Sequence, residues 1–325
     1  MGRTVLGRGI RSAARQMLRH QTVGRPTSAV LRLFGADALG GEIDKLCKYV
    51  PPRVPVRIPS IIAPDAFFLI DSDHGKDQCA AALWWKGWGG YEALVTSLFA
   101  AYAAESRCIV DVGANTGLFS LTAAACSPSA IIHAFEPFPL CQKLLDANLR
   151  LNGFETRVRI CRQALSEKDG ELNLYVPKQD HGLDETSCSL NSDFRAEHSE
   201  VIPVPVVTLD GYCRENKIEK IDLLKIDVET HEPQVLRGAT EVLDKHRPMI
   251  FLEVLVCADV AALNALADRH KYIPIVMTDD RLEICSKVEY HPGHFNQLFC
   301  PPEKLAALEQ IASRIGYEVA RASRP

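Results

Sequence analysis

Residues Cys108–Ser120, CIVDVGANTGLFS, set a β-branched apolar run against a turn bracketed by two glycines and carrying Asp111 and Asn115. Cys108–Val112 has the length and branching of a buried strand, and Leu118–Ala125 has helical spacing, so the turn joins a strand to a helix. In most glycine loops of α/β proteins the backbone cradles a phosphate, which a carboxylate at this point would repel. Asp111 therefore points to a ligand with positive charge. Its plain alternative is a cap for the helix that begins near Gly117.

Working outward, strand patterns recur at Ala130–Phe135, Val158–Cys161, Ile221–Ile226, Met249–Leu255, Tyr272–Met277 and Arg281–Cys285. Helical patterns fall between or after them at Leu140–Leu151, Pro233–Lys245, Val260–His270 and Glu303–Ile315. Repeated β-α-β units with strands apolar on both faces predict an α/β fold, a parallel sheet covered by helices. Ligands in such sheets bind beyond the carboxyl ends of the strands. Glu136 closes the second strand, where an acid can hold the two hydroxyls of a ribose. NAD and S-adenosylmethionine (SAM) both carry that ribose. The glycine spacing is G-x-x-x-G rather than the G-x-G-x-x-G of dinucleotide loops, and it is preceded by an acid, so SAM, with its ammonium and sulfonium, suits it better. In this reading Gly113 lets the chain pass close to the ligand without a Cβ.

The 325 residues suffice for one large domain with additions, and 47% hydrophobic with 24% charged residues is ordinary for a globular enzyme. A net charge of −4 gives no global sign of nucleic-acid binding. The 11 cysteines fall singly with no CxxC pair, which favours a reducing compartment over a disulfide scaffold and argues against a zinc site. No clean apolar twenty-residue run occurs, so no membrane span is expected. Met1–Ala36 has seven arginines and no acid; Leu6, Ile10 and Met17 share one helical face, with Arg8, Arg11, Arg15 and Arg19 opposite. A solvated leader helix, peripheral membrane attachment and organellar targeting all remain open for this segment. The prolines of Pro51–Pro59, PPRVPVRIP, predict an extended linker.

Seven stretches together resemble the FkbM family of SAM-dependent methyltransferases: VDVGANTGLFSL (110–121), HAFEPFPL (133–140), RQALSEKDGELNLY (162–175), VTLDGYC (207–213), IDLLKIDVETHEPQVLRGA (221–239), IFLEV (250–254) and HFNQLFCP (294–301). The resemblance implies a Rossmann-like class I methyltransferase with a mostly parallel seven-stranded sheet. With the basic segment read above, the chain divides into a leader at 1–50, an N-terminal extension or substrate-side helices at 51–104, the methyltransferase domain at 105–301 and a C-terminal helix at 302–325. The resemblance also implies that Asp111, Gly113, Asn115 and Gly117 line the methionyl part of SAM, that Glu136 holds the ribose, and that Gln163 and Ala164 border the adenine. By its position Gln163 is equally a solvent-facing strand end. The chain departs from the family at Thr230, where glycine is usual; a β-branched residue resists positive φ, so the turn is expected to differ locally.

Methyl transfer to a hydroxyl gains most from alignment, for which ~7–11 kcal/mol is available. A general base adds about 10²–10⁴-fold. KIDVETHE supplies Asp227, the first candidate for proton acceptor, then His231 and Glu229, and the fifth strand ends at Glu253. Glu253 alternatively pairs with Lys225, and His231 alternatively only begins a helix. Acids in this pattern can hold Mg²⁺, which acidifies a bound hydroxyl, but one sequence does not support a metal.

The polar stretch Pro177–Glu200 is long for a loop and predicts a lid, with Ser187, Ser189, Asn191 and Asp193 placed to hydrogen-bond a polyol. Trp84, Trp85, Trp88 and Tyr91 are a sugar platform or, more commonly, core. The reading is therefore an O-methyltransferase acting in the cytoplasm on a hydroxyl of a sugar, glycan or related small molecule. A membrane-surface location is left open by the leader. Methylation of nitrogen or protein, SAM binding without turnover, and dehydrogenation are its rivals.

Overall fold

The computed structural model describes residues 50–321 apart from 74–75, 179–185 and 196, so the basic leader and the first part of the expected lid lie outside the described residues. The chain forms two compact units: residues 50–56 and 69–91 belong to the first, and the remaining described residues to the second.

RVPVR alternates valine with arginine, and period-two alternation makes a strand. Residues Arg53–Arg57 are accordingly strand β1, with Val54 and Val56 buried, where the prolines alone predict a linker. It pairs with β2 (Phe67–Asp71). Helix α1 (Gln78–Lys86) starts where the Asp77 carboxylate accepts the Ala80 N–H at 2.6 Å. Trp84 and Trp85 on this helix are buried, which places them in core rather than on an open platform.

The second unit opens with α2 (Ala93–Glu105), a helix with no polar face: Leu94 to Ala103 are all buried. Its Phe99 ring stands edge-on to Phe119 at 5.0 Å and to Phe251 at 5.6 Å. Strands β3 (Cys108–Val112), β4 (Ile131–Phe135) and β5 (Val158–Cys161) alternate with α3 (Leu118–Cys126) and α4 (Pro139–Asn152). A separate three-stranded sheet, in the order β6-β8-β7, is made from β6 (Ala164–Leu165), β7 (Gly170–Pro177) and β8 (His198–Val207). Then follow α5 (Leu209–Glu215), β9 (Leu223–Ile226), α6 (Glu232–Arg237), β10 (Met249–Glu253), α7 (Val260–His270), β11 (Ile273–Met277), β12 (Arg281–Ile284), β13 (Asn296–Cys300), α8 (Leu305–Arg314) and β14 (Glu318–Arg321).

The main sheet has nine strands in the order β14-β12-β11-β13-β10-β9-β3-β4-β5. From β5 to β10 every pairing is parallel, and β13 runs antiparallel to both β10 and β11. Seven of these strands form the Rossmann-like class I sheet, and β12 and β14 extend it at the β11 edge. The segment after 302 is thus a helix followed by a strand that joins the sheet in parallel with β12, rather than a helix alone. The helix expected over Pro233–Lys245 breaks at Gly238. There a Cβ would come within 2.1 Å of the Ser166 carbonyl oxygen, and the Asp210 carboxylate takes the N–H groups of Glu241 and Val242 at 2.9 and 3.0 Å.

Strand order reverses between β3 and β9, which lie side by side. Each is wholly apolar apart from Asp111 and Lys225, which are register partners across the pair. Such a reversal opens a crevice beyond the carboxyl ends of the strands, where two turns meet. Among the described residues no helix is long and apolar enough to cross a membrane.

Candidate active site

The first turn, after β3, is fastened to the end of β4. Gly113 and Ala114 both donate their N–H to the Phe135 carbonyl at 3.0 Å, and Asn115 N–H donates to Glu136 Oε2 at 2.7 Å. The other oxygen, Glu136 Oε1, accepts from Phe138 N–H at 2.8 Å. Each carboxylate oxygen keeps acceptor capacity for one more donor. Burial pushes this carboxyl up to about 7, although the two N–H donors pull against that rise. At 6% exposure it is not sealed from the crevice. Asn115 takes a left-handed φ of +53°, which asparagine tolerates, and its Oδ1 accepts from Thr116 N–H at 2.8 Å.

Two sequence-based expectations for this turn change. Gly113 has φ +76°, and a Cβ there would lie 1.9 Å from the Asp227 carbonyl oxygen. The neighbouring turn by itself requires the glycine. Gly117 begins α3 at φ +105°. Asp111 does not reach the crevice: it is 0% exposed, its Oδ2 accepts from Ser120 Oγ at 2.7 Å in the first turn of that helix, as a cap does, and its Oδ1 lies 3.7 Å from Lys225 Nζ. Burial raises its carboxyl, with Lys225 and Ser120 pulling the other way. The cation that Asp111 meets is Lys225.

Lys225 links the two turns. Its ammonium donates to Asp227 Oδ2 at 3.1 Å and lies 4.6 Å from the centre of the Phe119 ring. Burial opposes its charge, but Asp227 and Asp111 outweigh that and hold the ammonium above its ordinary range. Pairing with Glu253, the alternative raised for that residue, is not formed. Asp227 follows directly on β9, its N–H donating to the Val112 carbonyl at 3.0 Å. Its side chain is 39% exposed and faces the crevice with one oxygen tied to Lys225.

The second turn, Asp227–His231, keeps the left-handed geometry that glycine would favour: Glu229 has φ +54° and Thr230 φ +82°. Thr230 thus adopts the positive φ that a β-branched residue resists. Each such φ costs about 1–3 kcal/mol and persists only when surrounding contacts impose it. Here Glu232 Oε1 accepts the N–H groups of Val228 and Thr230 at 3.1 and 3.3 Å. Ser189 Oγ donates to the Glu229 carbonyl at 2.6 Å, and Asn191 Nδ2 donates to Thr230 Oγ1 at 2.9 Å. Two of the four side chains expected to bind a polyol, Ser189 and Asn191, are therefore engaged on the protein.

The remaining candidates separate. Glu253 ends β10 with its carboxyl pushed up to about 9, first by burial and then by Asp227, Glu229 and Glu92. His231 is turned away to Ser166, its Nε2 3.0 Å from Ser166 Oγ, and burial lowers it to about 4, so it is neutral and a weak base. Gln163 is half-buried between β5 and β6, and Ala164 is buried within β6. Glu92, at the start of α2, was not among the sequence-derived candidates. Burial first and Asp227 next raise its carboxyl, while a hydrogen bond with Asn296 and the charge of Lys225 pull the other way. No motif surrounds it, so only the fold brings it here. Among the described residues no group of three or more His, Cys, Asp or Glu side chains is arranged to hold a metal ion.

Residues 111–272 match the methyltransferase FkbM domain. The chain carries a domain of the FkbM methyltransferase family. Similar proteins include methyltransferase sdnD of Sordaria araneosa, 35% identical over 156 residues covering 41% of this chain and 60% of that protein. The 31-O-demethyl-FK506 methyltransferase FkbM of Streptomyces tacrolimicus is 32% identical, covering 41% of this chain and 59% of its own length. The 2-O-methyltransferase NoeI of Sinorhizobium fredii is 29% identical, covering 43% and 60%. The chain thus spans about 60% of the length of these curated relatives. The FkbM match ends at residue 272, before the strands that widen the sheet.

Proposed function

We propose that this chain is a SAM-dependent O-methyltransferase acting on a hydroxyl of a sugar, glycan or related small molecule. The observation that carries the reading is Asp227, a half-exposed carboxylate at the strand-order reversal, with one oxygen held by a buried lysine. Two of the relatives are named for methylation at oxygen, which supports the choice of acceptor atom.

The residues fit SAM. Glu136 offers one free acceptor position on each oxygen, as two adjacent ribose hydroxyls require. The nearby carboxyls of Glu92 and Asp227 favour a positively charged guest. When bound, SAM supplies a methyl group on a sulfonium, a good leaving group. The protein's own share is alignment and proton handling. Lys225 fixes Asp227 Oδ2, which leaves Oδ1 to accept the proton of an incoming hydroxyl as its oxygen turns nucleophilic. Asp111 acts through Lys225, holding the ammonium from below the turn. Glu253, held protonated near neutral pH, donates a hydrogen bond rather than accepting a proton.

The test is mass spectrometry of products formed from a cell-extract acceptor pool with isotopically labelled SAM. A label on a glycan or small-molecule hydroxyl is expected; label only on amines or protein overturns the reading. Asp227→Ala should bind SAM normally by calorimetry and lose about 10²–10⁴-fold in turnover. Normal turnover in that variant removes Asp227 from the mechanism.

A further inference from the structure

The second turn holds two consecutive non-glycine residues, Glu229 and Thr230, in left-handed conformation, one of them β-branched. L-residues adopt this region at a cost, and β-branched ones at the greatest. What holds the turn comes from far away in the sequence. Ser189 is 1% exposed and sits in a two-way backbone bridge with Tyr175, at 2.8 and 3.2 Å. Its hydroxyl accepts from Asn191 N–H at 2.9 Å while donating to the Glu229 carbonyl, and Asn191 then reaches Thr230 Oγ1. The flanking Cys188 and Leu190 pack against the small core of Phe138, Cys141, Leu174, Val176 and Val204. Cys141 in turn donates its thiol to Asn115 Oδ1 at 3.5 Å, on the first turn. Residues 188–191 therefore rest on the Glu136 side of the crevice and grip the Asp227 side.

We propose that Ser189 and Asn191 are positioning residues: they hold the Glu229–Thr230 turn left-handed and so fix the chain that carries Asp227 opposite the first turn. Thr230 is the partner that makes Asn191 necessary, because glycine at 230 would adopt the same φ unaided. The kinetic part of this inference rests on the methyl-transfer reading; the conformational part does not.

The experiment uses the full chain and the variants Asn191→Ala, Ser189→Ala, Thr230→Gly and Asn191→Ala/Thr230→Gly. Asn191 is half-exposed, so its variant keeps the core intact, and Ser189→Ala is a second, independent cut. Amide hydrogen exchange of the peptide spanning 228–236 is expected to quicken about tenfold in both single variants and to return toward the parent rate when Thr230→Gly is added. With SAM and an acceptor, Asn191→Ala should lower kcat about tenfold, with KM for SAM within about twofold of the parent and kcat recovered in the double variant. Unchanged exchange in both single variants overturns the proposal. So does a double variant as impaired as Asn191→Ala, which would place Asn191 in contact with the acceptor instead. Exchange that moves as expected in a chain that transfers no methyl group would sink the functional reading and leave the positioning role standing.

Discussion

Two turns follow two neighbouring parallel strands, and they solve the same conformational problem by different means. The turn after β3 puts its positive φ values on Gly113, Asn115 and Gly117, residue types that accept them locally. The turn after β9 puts them on Glu229 and Thr230 and holds them with side chains from Glu232, Ser189 and Asn191. They meet where Gly113 passes the Asp227 carbonyl, so each limits how far the other can move. A turn built from glycine is stable by itself, whereas a turn built from hydrogen bonds is only as stable as the segment that supplies them.

The sharpest test of this contrast is Gly113→Ala. The new Cβ has no room against backbone, and the φ is unfavourable as well. A loss of about 3 kcal/mol or more is expected in denaturant unfolding, with SAM affinity lost alongside. A variant that melts like the parent would show that the second turn can retreat, and would end the view that the two turns are mutually locked. Lys225→Met is next. It removes the cation shared by both turns and leaves Asp111 fully buried without its partner, which should cost about 3–5 kcal/mol. Adding Asp111→Asn should recover much of that loss, since no buried charge then lacks a counterpart.

The same contrast explains what was legible in the sequence. Strands β3 and β5 and helix α7 fall where hydrophobic periodicity places them, and the first turn is marked by its own glycines. The roles around Asp227 are less visible. Lys225 and Asp111 are read apart because their pairing is a matter of strand register, which periodicity does not encode. Glu92 and the Ser189–Asn191 segment reach the site only through tertiary packing. Strand β1 was hidden by prolines that suggest a linker, although valine and arginine alternate across it. At Thr230 propensity predicts a changed turn, and tertiary hydrogen bonds override it.

Protonation separates the two turns at smaller scale. Glu136 and Glu232 fasten the first and second turn respectively, and burial pushes each carboxyl up to about 7. A raised folded value means that the folded chain binds extra protons between the unfolded value of 4.5 and about 7. Stability from this source is full below pH 4.5 and is lost as pH rises through about 7, with a slope of at most about 1.4 kcal/mol per pH unit for each group. Glu136→Gln and Glu232→Gln should each flatten part of that slope in unfolding curves. Only Glu136→Gln should also remove a rise in SAM affinity, up to about tenfold per pH unit, as pH climbs from about 5 to about 7, because ribose hydroxyls need an ionised acceptor. Equal effects of the two variants on SAM affinity would mean that the turns do not divide the work between cofactor and acceptor.

The smallest expected effect is Thr230→Gly, the mirror of Gly113→Ala. Relief of left-handed strain is worth about 1–2 kcal/mol. Against it stand the greater freedom of glycine in the unfolded chain, about 0.4–1 kcal/mol, and the lost hydrogen bond from Asn191, about 0.5–1.5 kcal/mol. The central values of these three contributions nearly cancel, so the melting temperature should barely move. In an Asn191→Ala background the hydrogen bond is already gone, and the same substitution should then stabilise by about 1 kcal/mol. That sign difference, read from a double-mutant cycle, isolates the coupling between residues 191 and 230 from the intrinsic preference of either. Equal effects in both backgrounds would mean that the turn holds its shape without the segment that grips it, and the two turns would then differ in composition but not in how they are stabilised.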